Sequence, residues 1–186
     1  MKFTETTLSG SFVVELEKHS DERGYFARSW CRQEFESHGL ETKLVQCNVS
    51  YNRVAGTLRG LHYQAYPHAE VKLVRCTRGG LYDVIVDLRT TSPTFLRWFG
   101  LRLTPDDGKM LYIPHGFAHG FQTLEAETEV FYQMSEFYVP GAGRGIRWND
   151  PTLAIEWPLP VACISEKDKE YPDCTLERIE REIVTA

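Results

Sequence analysis

The chain has 186 residues, 42% hydrophobic and 25% charged, which is an ordinary globular composition able to bury the core of one domain. Its 21 Lys and Arg against 26 Asp and Glu give a net charge of -5. This balance argues against sequence-independent binding to nucleic acid or to an anionic membrane. We expect a single domain over residues 1–186 that binds neither, and a small anionic ligand held by a few local cations stays open.

The sequence carries no recognisable targeting or crosslinking signal. Residues 1–24 contain no apolar run long enough for a signal peptide, and no apolar run of about 18 residues is present to span a bilayer. The five cysteines are scattered and include no C-x-x-C pair, so neither a disulfide framework nor a zinc site is predicted. We expect a soluble, cytoplasmic protein with reduced thiols.

The predicted elements begin with one short helix and continue as strands. Residues 30–38 are the best helix candidate, with Ser29 as a plausible N-cap and Gly39 placed to end the helix. Residues 44–135 are short apolar runs cut by turn signals, which is typical of an all-β sandwich or barrel. The run LYDVIVDLR alternates between two faces, Tyr82, Val84, Val86 and Leu88 on one and Leu81, Asp83, Ile85 and Asp87 on the other.

The hexapeptide RGLHYQ, residues 59–64, poses a problem of orientation. In a regular strand Arg59 and His62 point to opposite faces. A glycine inside a strand commonly marks a bulge, where one extra residue shifts the alternation by one. A bulge at Gly60 would therefore turn Arg59 and His62 to the same side. The alternative is that Gly60 only relieves crowding and that His62 is a hydrogen-bonded interior histidine.

Three further polar residues lie in or beside strand-like segments. Lys72 opens VKLVRC, where it either has a function or reaches water from the strand end. Tyr132 lies in the aromatic-rich run EVFYQM, where core packing is the default. His119 lies in the glycine-bracketed segment IPHGFAHGF. A metal site would need a second histidine one or two residues from His62, and the sequence supplies only His68, so we predict no metal.

Two helical segments are predicted near the C-terminus. Residues 165–168 fit the S-x-x-D pattern of a capping box, which would make Asp168 a structural residue. The functional alternative is that Asp168 accepts a hydrogen bond from His62 and fixes the tautomer of that base. Sequence spacing does not decide between these two interpretations. The tail TLERIEREIVTA has helical spacing of apolar residues but is short and charged, so its helix is marginal.

Together these segments resemble the dTDP-4-dehydrorhamnose 3,5-epimerase family, which acts on nucleotide-linked 4-keto-6-deoxyhexoses. The motifs run in order from about residue 21 to residue 172: DERGYF, VQCNVS, GTLRGLHYQ, KLVRC, DVIVDLR, SPTFLRW, LYIPHGFAHGF, EVFYQM, RGIRWNDP, IEWP and SEKD. The resemblance implies a cupin-like jelly-roll β-sandwich with a few short helices. It also implies a homodimer that works without metal or other cofactor in deoxysugar and polysaccharide biosynthesis.

The resemblance assigns roles to individual residues. His62 would be the base, held by Asp168, and Tyr132 the acid on the opposite side of the sugar ring. Lys72 would face the C4 carbonyl and stabilise the enolate formed when the base removes a proton from C3 or C5. The implied substrate-binding residues are Arg59 and His119 at the sugar and phosphate, and Arg23, Gln46, Asn48, Tyr138 and Lys167 at the nucleotide. In the family, the segment around Arg23 and Phe26 completes the partner subunit's site.

Two positions depart from the family pattern at the nucleotide end. Arg28 stands where the family commonly has a glutamate, and residues 141–143 read Gly-Ala-Gly where it often reads E-x-E. A glutamate accepts from thymine N3–H, whereas the acceptors of cytosine favour an arginine donor. We therefore predict that Arg28 contacts the substrate, with a CDP-linked sugar as the alternative to a dTDP-linked one. A ketoisomerase, a metal-dependent cupin oxygenase and a non-catalytic sugar-nucleotide-binding protein are the remaining alternatives.

Overall fold

The computed structural model describes residues 1–183, which form thirteen strands and three short helices in that range. The strands are β1 Lys2–Glu5, β2 Phe12–Glu15, β3 His19–Asp21, β4 Gly24–Phe26, β5 Gln46–Asn52, β6 Leu58–Gln64, β7 Lys72–Arg78, β8 Leu81–Asp87, β9 Trp98–Leu103, β10 Lys109–Ile113, β11 Phe117–Thr123, β12 Thr128–Met134 and β13 Gly143–Gly145. The helices are α1 Arg32–Ser37, α2 Glu166–Lys169 and α3 Leu176–Glu182. The predicted all-β class is confirmed.

Two antiparallel sheets form the body of the fold. One has the strand order β1-β2-β10-β7-β12-β5, and the other has the order β13-β6-β11-β8-β9. A core between them is built from both inner faces, with Val74 and Val130 from the first sheet and Ile85 and Phe121 from the second. Strands β3 and β4 pair only with each other in a separate two-stranded hairpin within the described chain.

Strand β8 is covered on both of its faces. Leu81 and Ile85 pack into the core between the sheets. Val84 and Val86 face the other way and pack against the C-terminal segment, including Ile179 of α3. The alternation predicted for this strand is confirmed, and because both faces are covered, the two carboxylates on the core face, Asp83 and Asp87, are fully buried.

The helices agree with the prediction except at one boundary. Helix α1 begins at Arg32, and its N-cap is Cys31 without a side-chain cap bond, so the Ser29 cap was wrong. Burial of Phe35 against the outer face of the six-stranded sheet fixes where this helix lies, independently of a cap. Gly39 follows the helix with a φ of +69°, as predicted. The marginal tail helix is α3, and the last three residues of that segment, 184–186, lie outside the described residues.

No helix within residues 1–183 is long and apolar enough to cross a bilayer. All five cysteines are free: Cys31, Cys47, Cys76, Cys163 and Cys174.

Candidate active site

The bulge predicted at Gly60 is present. His119 of β11 pairs with His62 of β6 and Phe121 pairs with Arg59, so three steps along β6 match two along β11. Gly60 adopts a φ of +132°, and a Cβ added there would lie 2.5 Å from the Cα of Gly120. The extra residue turns Arg59 and His62 to the same side, where both line one cavity.

Two adjoining cavities open between the inner faces of the two sheets. The larger has a volume of about 380 Å³ and the smaller about 170 Å³. The larger is within the size range of small-molecule sites. Three side chains, those of His62, Lys72 and Tyr132, line both cavities and therefore mark the place where they meet.

Asp168 contributes its backbone to the cap of α2 and its carboxylate to His62, so its side chain takes the second of the two predicted roles. Its backbone N–H donates to the Ser165 Oγ at 3.1 Å, so Ser165 caps α2. Its carboxylate accepts from His62 Nε2 at 2.7 Å and from the Gly60 N–H at 3.4 Å. Burial alone would raise the pKa of Asp168, but the hydrogen bonds from His62, Gly60 and Ser165 outweigh it and the pKa lies below its ordinary value.

Lys72 lies in the interior rather than reaching water. Its ammonium forms an ion pair with Glu70, with 3.0 Å between Nζ and Oε1. It also donates to the backbone carbonyl of His62 at 3.4 Å. The sequence analysis did not predict Glu70, although a Glu and a Lys two residues apart at the start of a strand share a face.

A second histidine and carboxylate pair lies deeper in the interior. His119 Nε2 is 2.7 Å from Asp83 Oδ1, and Asp83 is fully buried. The Arg59 guanidinium, which also lines the smaller cavity, donates from Nε to Asn52 Oδ1 at 2.7 Å. Asp83 was not predicted as a site residue, although its place beside Leu81 and Ile85 on the core face of β8 is a signal of a buried carboxylate with a partner.

Tyr132 approaches the cavity from the opposite wall to His62. It lies on β12 of the six-stranded sheet, whereas His62 lies on β6 of the five-stranded sheet. Burial raises the pKa of the Tyr132 phenol, and the charge of Arg59 opposes part of that rise. The site thus places a histidine with a carboxylate partner across from a phenol that stays protonated at neutral pH.

The larger cavity is also lined by four residues predicted to meet the nucleotide. Gln46, Asn48, Tyr138 and Lys167 all lie there. The Tyr138 N–H donates to Gln46 Oε1 at 2.9 Å, which fixes that amide. Tyr171 and Arg144 line the same cavity and were missed by the sequence analysis. A hydrogen bond with Tyr171 raises the pKa of Lys167, so its ammonium is retained at neutral pH.

Three predicted binding residues lie elsewhere. Phe26 is 74% exposed, and the Arg23 side chain is 85% exposed and paired with Asp21 on its own hairpin. The Arg28 guanidinium is paired with Glu34 at 3.1 Å. None of the three lines either cavity formed by residues 1–183. Arg23 and Phe26 belong to the hairpin β3–β4, which is not part of the two sheets, and Arg28 follows that hairpin. The contact of Arg28 with the substrate stays a prediction.

The described part of the chain holds no group of three or more His, Cys, Asp or Glu side chains placed to share a metal ion. The histidines nearest to the cavities each have a single carboxylate partner instead, His62 with Asp168 and His119 with Asp83.

Comparison with known proteins gives one consistent result. The family model described as dTDP-4-dehydrorhamnose 3,5-epimerase matches residues 5–175. A curated protein of that name from Methanothermobacter thermautotrophicus is 43% identical over 173 residues, covering 91% of this chain and 92% of the relative. The structure of a dTDP-4-dehydrorhamnose 3,5-epimerase from Bacillus anthracis with TDP and PPi bound is 43% identical, with a TM-score of 0.90 and coverage of 93% and 99%.

A structure from Legionella pneumophila is described as a dTDP-6-deoxy-D-glucose-3,5-epimerase in complex with dTDP-4-keto-L-rhamnose. It is 36% identical to this chain, has a TM-score of 0.87, and covers 92% of each chain. The structural matches confirm the predicted cupin-like β-sandwich.

Proposed function

The chain belongs to the dTDP-4-dehydrorhamnose 3,5-epimerase family, and from this premise we propose that it is an isomerase that epimerises a nucleotide-linked 4-keto-6-deoxyhexose at carbon 3, carbon 5 or both. The names of the relatives indicate a dTDP-linked substrate, and the same nucleotide is proposed here, in the biosynthesis of a deoxysugar such as rhamnose. Residues 1–186 are proposed to form one epimerase domain.

The observation that carries this proposal is the meeting of a base, an acid and a cation between the sheets. His62 comes from one sheet, whereas Tyr132 and Lys72 come from the other. A sugar ring lying between them would present one face to His62 and the opposite face to Tyr132. Removal of a proton on one face and its return on the other inverts the carbon, which is the reaction of an epimerase.

The first half of the reaction follows from the hydrogen bonds of His62. Its Nε2 is engaged with Asp168 at 2.7 Å, which leaves Nδ1 with the lone pair that takes a proton. A ketone at C4 acidifies the hydrogens at C3 and C5, because the carbanion delocalises onto the C4 oxygen as an enolate. The Lys72 ammonium would stabilise that oxygen more strongly in the transition state than in the neutral ketone.

The second half assigns Tyr132 as the acid. Burial raises the pKa of its phenol, so the proton is present at neutral pH and is delivered as the enolate collapses. Phosphate and nucleotide would extend toward Arg59, Lys167 and the end of the cavity near Gln46. His119, oriented by Asp83, would bind the sugar.

We propose that two copies of the chain form a homodimer in which Arg23 and Phe26 enter the partner's site. Large apolar side chains are exposed on the hairpin and on β5, an edge strand paired only with β12 within residues 1–183. Phe26 is 74% exposed, and Val49 on β5 is 60% exposed. Exposed apolar edge strands are unusual in a monomer because they favour association.

Arg28 bears on the choice of nucleotide. Its pairing with Glu34 supports dTDP over CDP, because the guanidinium is already engaged at 3.1 Å outside the cavities. Calorimetric Kd values for dTDP and CDP, measured on wild type and Arg28→Glu, test this choice. Wild type is expected to prefer dTDP, with a change below about threefold in the preference on substitution. A wild-type preference for CDP that Arg28→Glu reverses would establish the cytidine alternative.

The epimerisation itself is tested by incubating dTDP-4-keto-6-deoxyglucose with the protein in deuterium oxide and following C3 and C5 by NMR. Deuterium is expected at one or both positions, beyond the rate in a protein-free control. Entry at one position identifies a mono-epimerase or a slow second step, and entry at neither overturns the proposal. Activity is expected to survive EDTA, whereas loss that added metal restores would favour the metal-dependent alternative.

A further inference from the structure

Glu70 forms a buried ion pair with Lys72 and has no role in the reaction described so far. Its Oε1 lies 3.0 Å from the lysine Nζ, and the two side chains are 4% and 9% exposed. Both line the larger cavity. Charged side chains are seldom buried without a partner, because leaving water costs each ion several kcal/mol. The pair therefore explains how Lys72 remains inside the sandwich.

The second oxygen of Glu70 indicates that its own hydrogen bonding is incomplete. Oε2 is buried and has no hydrogen-bond partner among residues 1–183. A buried carboxylate oxygen without a donor is unfavourable, since its lost hydration is not replaced. A carboxylate placed to stabilise the fold would be surrounded by donors, as Asp87 is by Arg89, Ser92 and Thr94. Glu70 instead has one described partner, the cation on the cavity wall.

The backbone holds the pair in a fixed position. The N–H of Val71, the residue between them, donates to Ser135 Oγ at 2.8 Å, and the Ser135 N–H donates to the Val71 carbonyl at 3.0 Å. Lys72 also donates to the His62 carbonyl at 3.4 Å. The ammonium is thus held between Glu70 and the backbone of the proposed base by contacts within the protein itself.

We propose that Glu70 is a positioning residue for the epimerisation, which holds the Lys72 ammonium where the C4 oxygen gains charge and acts on the reaction only through Lys72. This role rests on the proposed function. Lysine is a point charge on a long, flexible stem, whereas electrostatic stabilisation of a transition state depends on a charge that is in place before the reaction begins. The carboxylate supplies that placement, and the neutral amide of glutamine would supply it less well.

A double-mutant cycle tests the proposal. Glu70→Gln, which keeps the shape and removes the charge, is expected to lower kcat about 10- to 100-fold with KM within about threefold, as loss of an orienting carboxylate does elsewhere. In a Lys72→Ala background the same change is expected to lower the residual kcat less than about threefold. Glu36→Gln is the matched control, because Glu36 forms an exposed ion pair with Arg32 on α1, and it is expected to keep wild-type kinetics.

Equal losses of kcat in both backgrounds, or a Glu70→Gln enzyme within about threefold of wild type, would overturn the positioning role while leaving the epimerase intact. No exchange by wild type would overturn both proposals. Binding of dTDP by calorimetry reports whether each variant is folded. Where Glu70→Gln does not fold, Glu70→Asp replaces it in the cycle, since it keeps the charge and withdraws it by one methylene. The proposal then requires that Glu70→Asp lowers kcat when Lys72 is present and lowers it less than about threefold in the Lys72→Ala background.

Discussion

The cavity between the sheets and the hairpin β3–β4 hold side chains of the same kind in opposite settings. In the cavity, the Lys72 side chain is 9% exposed and bonded to Glu70, with a further bond to the His62 carbonyl on the opposite sheet. On the hairpin, the Arg23 side chain is 85% exposed and its described partner, Asp21, lies two residues away. The cavity is preorganised by one chain, whereas the hairpin can act on a substrate only when a second surface meets it.

The largest expected effect is at the base. His62→Asn is expected to lower kcat about 10³-fold, because it removes the group that takes the proton while it keeps a polar side chain in the cavity. Steady-state kinetics and deuterium entry at C3 and C5 measure it, with dTDP binding as the control for folding. Retention of more than about a tenth of wild-type kcat would assign the base to another residue. The contrast between a catalytic cavity and a hairpin that only binds would then no longer rest on His62.

Tyr132→Phe separates exchange from inversion. The variant keeps the ring and loses the phenol proton, so net epimerisation is expected to fall about 10²-fold. His62 still removes a proton and returns one to the same face, so deuterium is expected to enter without inversion. NMR reads both events in one sample. Equal loss of exchange and inversion would show that Tyr132 does not act as the separate acid.

A smaller effect is expected on the hairpin. Arg23→Ala is expected to raise KM about tenfold with kcat within about twofold, because a remote contact to the substrate adds binding without entering the chemical step. Wild-type activity is expected to fall on dilution below the Kd of the dimer, and analytical ultracentrifugation gives that Kd. Arg32→Ala, which breaks an exposed pair on α1, is the matched control. A kcat loss as large as that of His62→Asn would place Arg23 among the catalytic groups.

The smallest effect concerns acid stability. The pKa of Asp168 lies below its ordinary value of 3.8 in the folded chain, and so does the pKa of exposed Asp21 beside Arg23. When the pKa of a carboxyl group is lower in the folded chain than in the unfolded chain, the ionised group stabilises the fold at pH values above the unfolded pKa. This stabilisation is lost as the pH falls through the pKa of the folded chain. Asp168→Asn is therefore expected to lose less stability than wild type below pH 4.

Denaturant unfolding at pH 7 and near pH 3 measures that difference. Asp21→Asn is the control, and its acid dependence is expected to match wild type, because solvent screens an exposed pair. An Asp168→Asn profile parallel to that of wild type would contradict the depressed pKa of the buried carboxylate.

The features that depend on near neighbours in the chain were predictable. The bulge at Gly60, the two faces of β8 and the Ser165 cap each follow from a few consecutive residues, and all three are confirmed. The His62 pairing with Asp168, across 106 positions, stayed one of two alternatives because no local rule reaches that far. In the folded chain α2 contacts β6, which brings the Asp168 carboxylate to His62 and to the Gly60 N–H.

Other site residues could be recognised only once the folded chain was known. The Asp83 pairing with His119 depends on β8 and β11 lying side by side, and Tyr171 reaches the cavity from the segment after α2. Glu70 was closer to being predictable, since its spacing of two from Lys72 was visible. It was missed because a charge before a strand is ordinarily solvated. The roles of Arg23 and Phe26 stay predictions, since the sequence analysis assigned both residues to the site of a partner subunit.

The contact between Gly60 and Gly120 limits how this pocket can change during evolution or redesign. A Cβ on Gly60 would lie 2.5 Å from the Gly120 Cα, and a Cβ on Gly120 would lie 2.8 Å from the Arg59 carbonyl oxygen. Real Cβ atoms do not approach so closely, so any side chain at either position would separate β6 from β11. New substrates can be sought by varying the side chains that line the cavity. A library that randomises either glycine would instead change the orientation of His62, so most of its members would be inactive whatever their specificity.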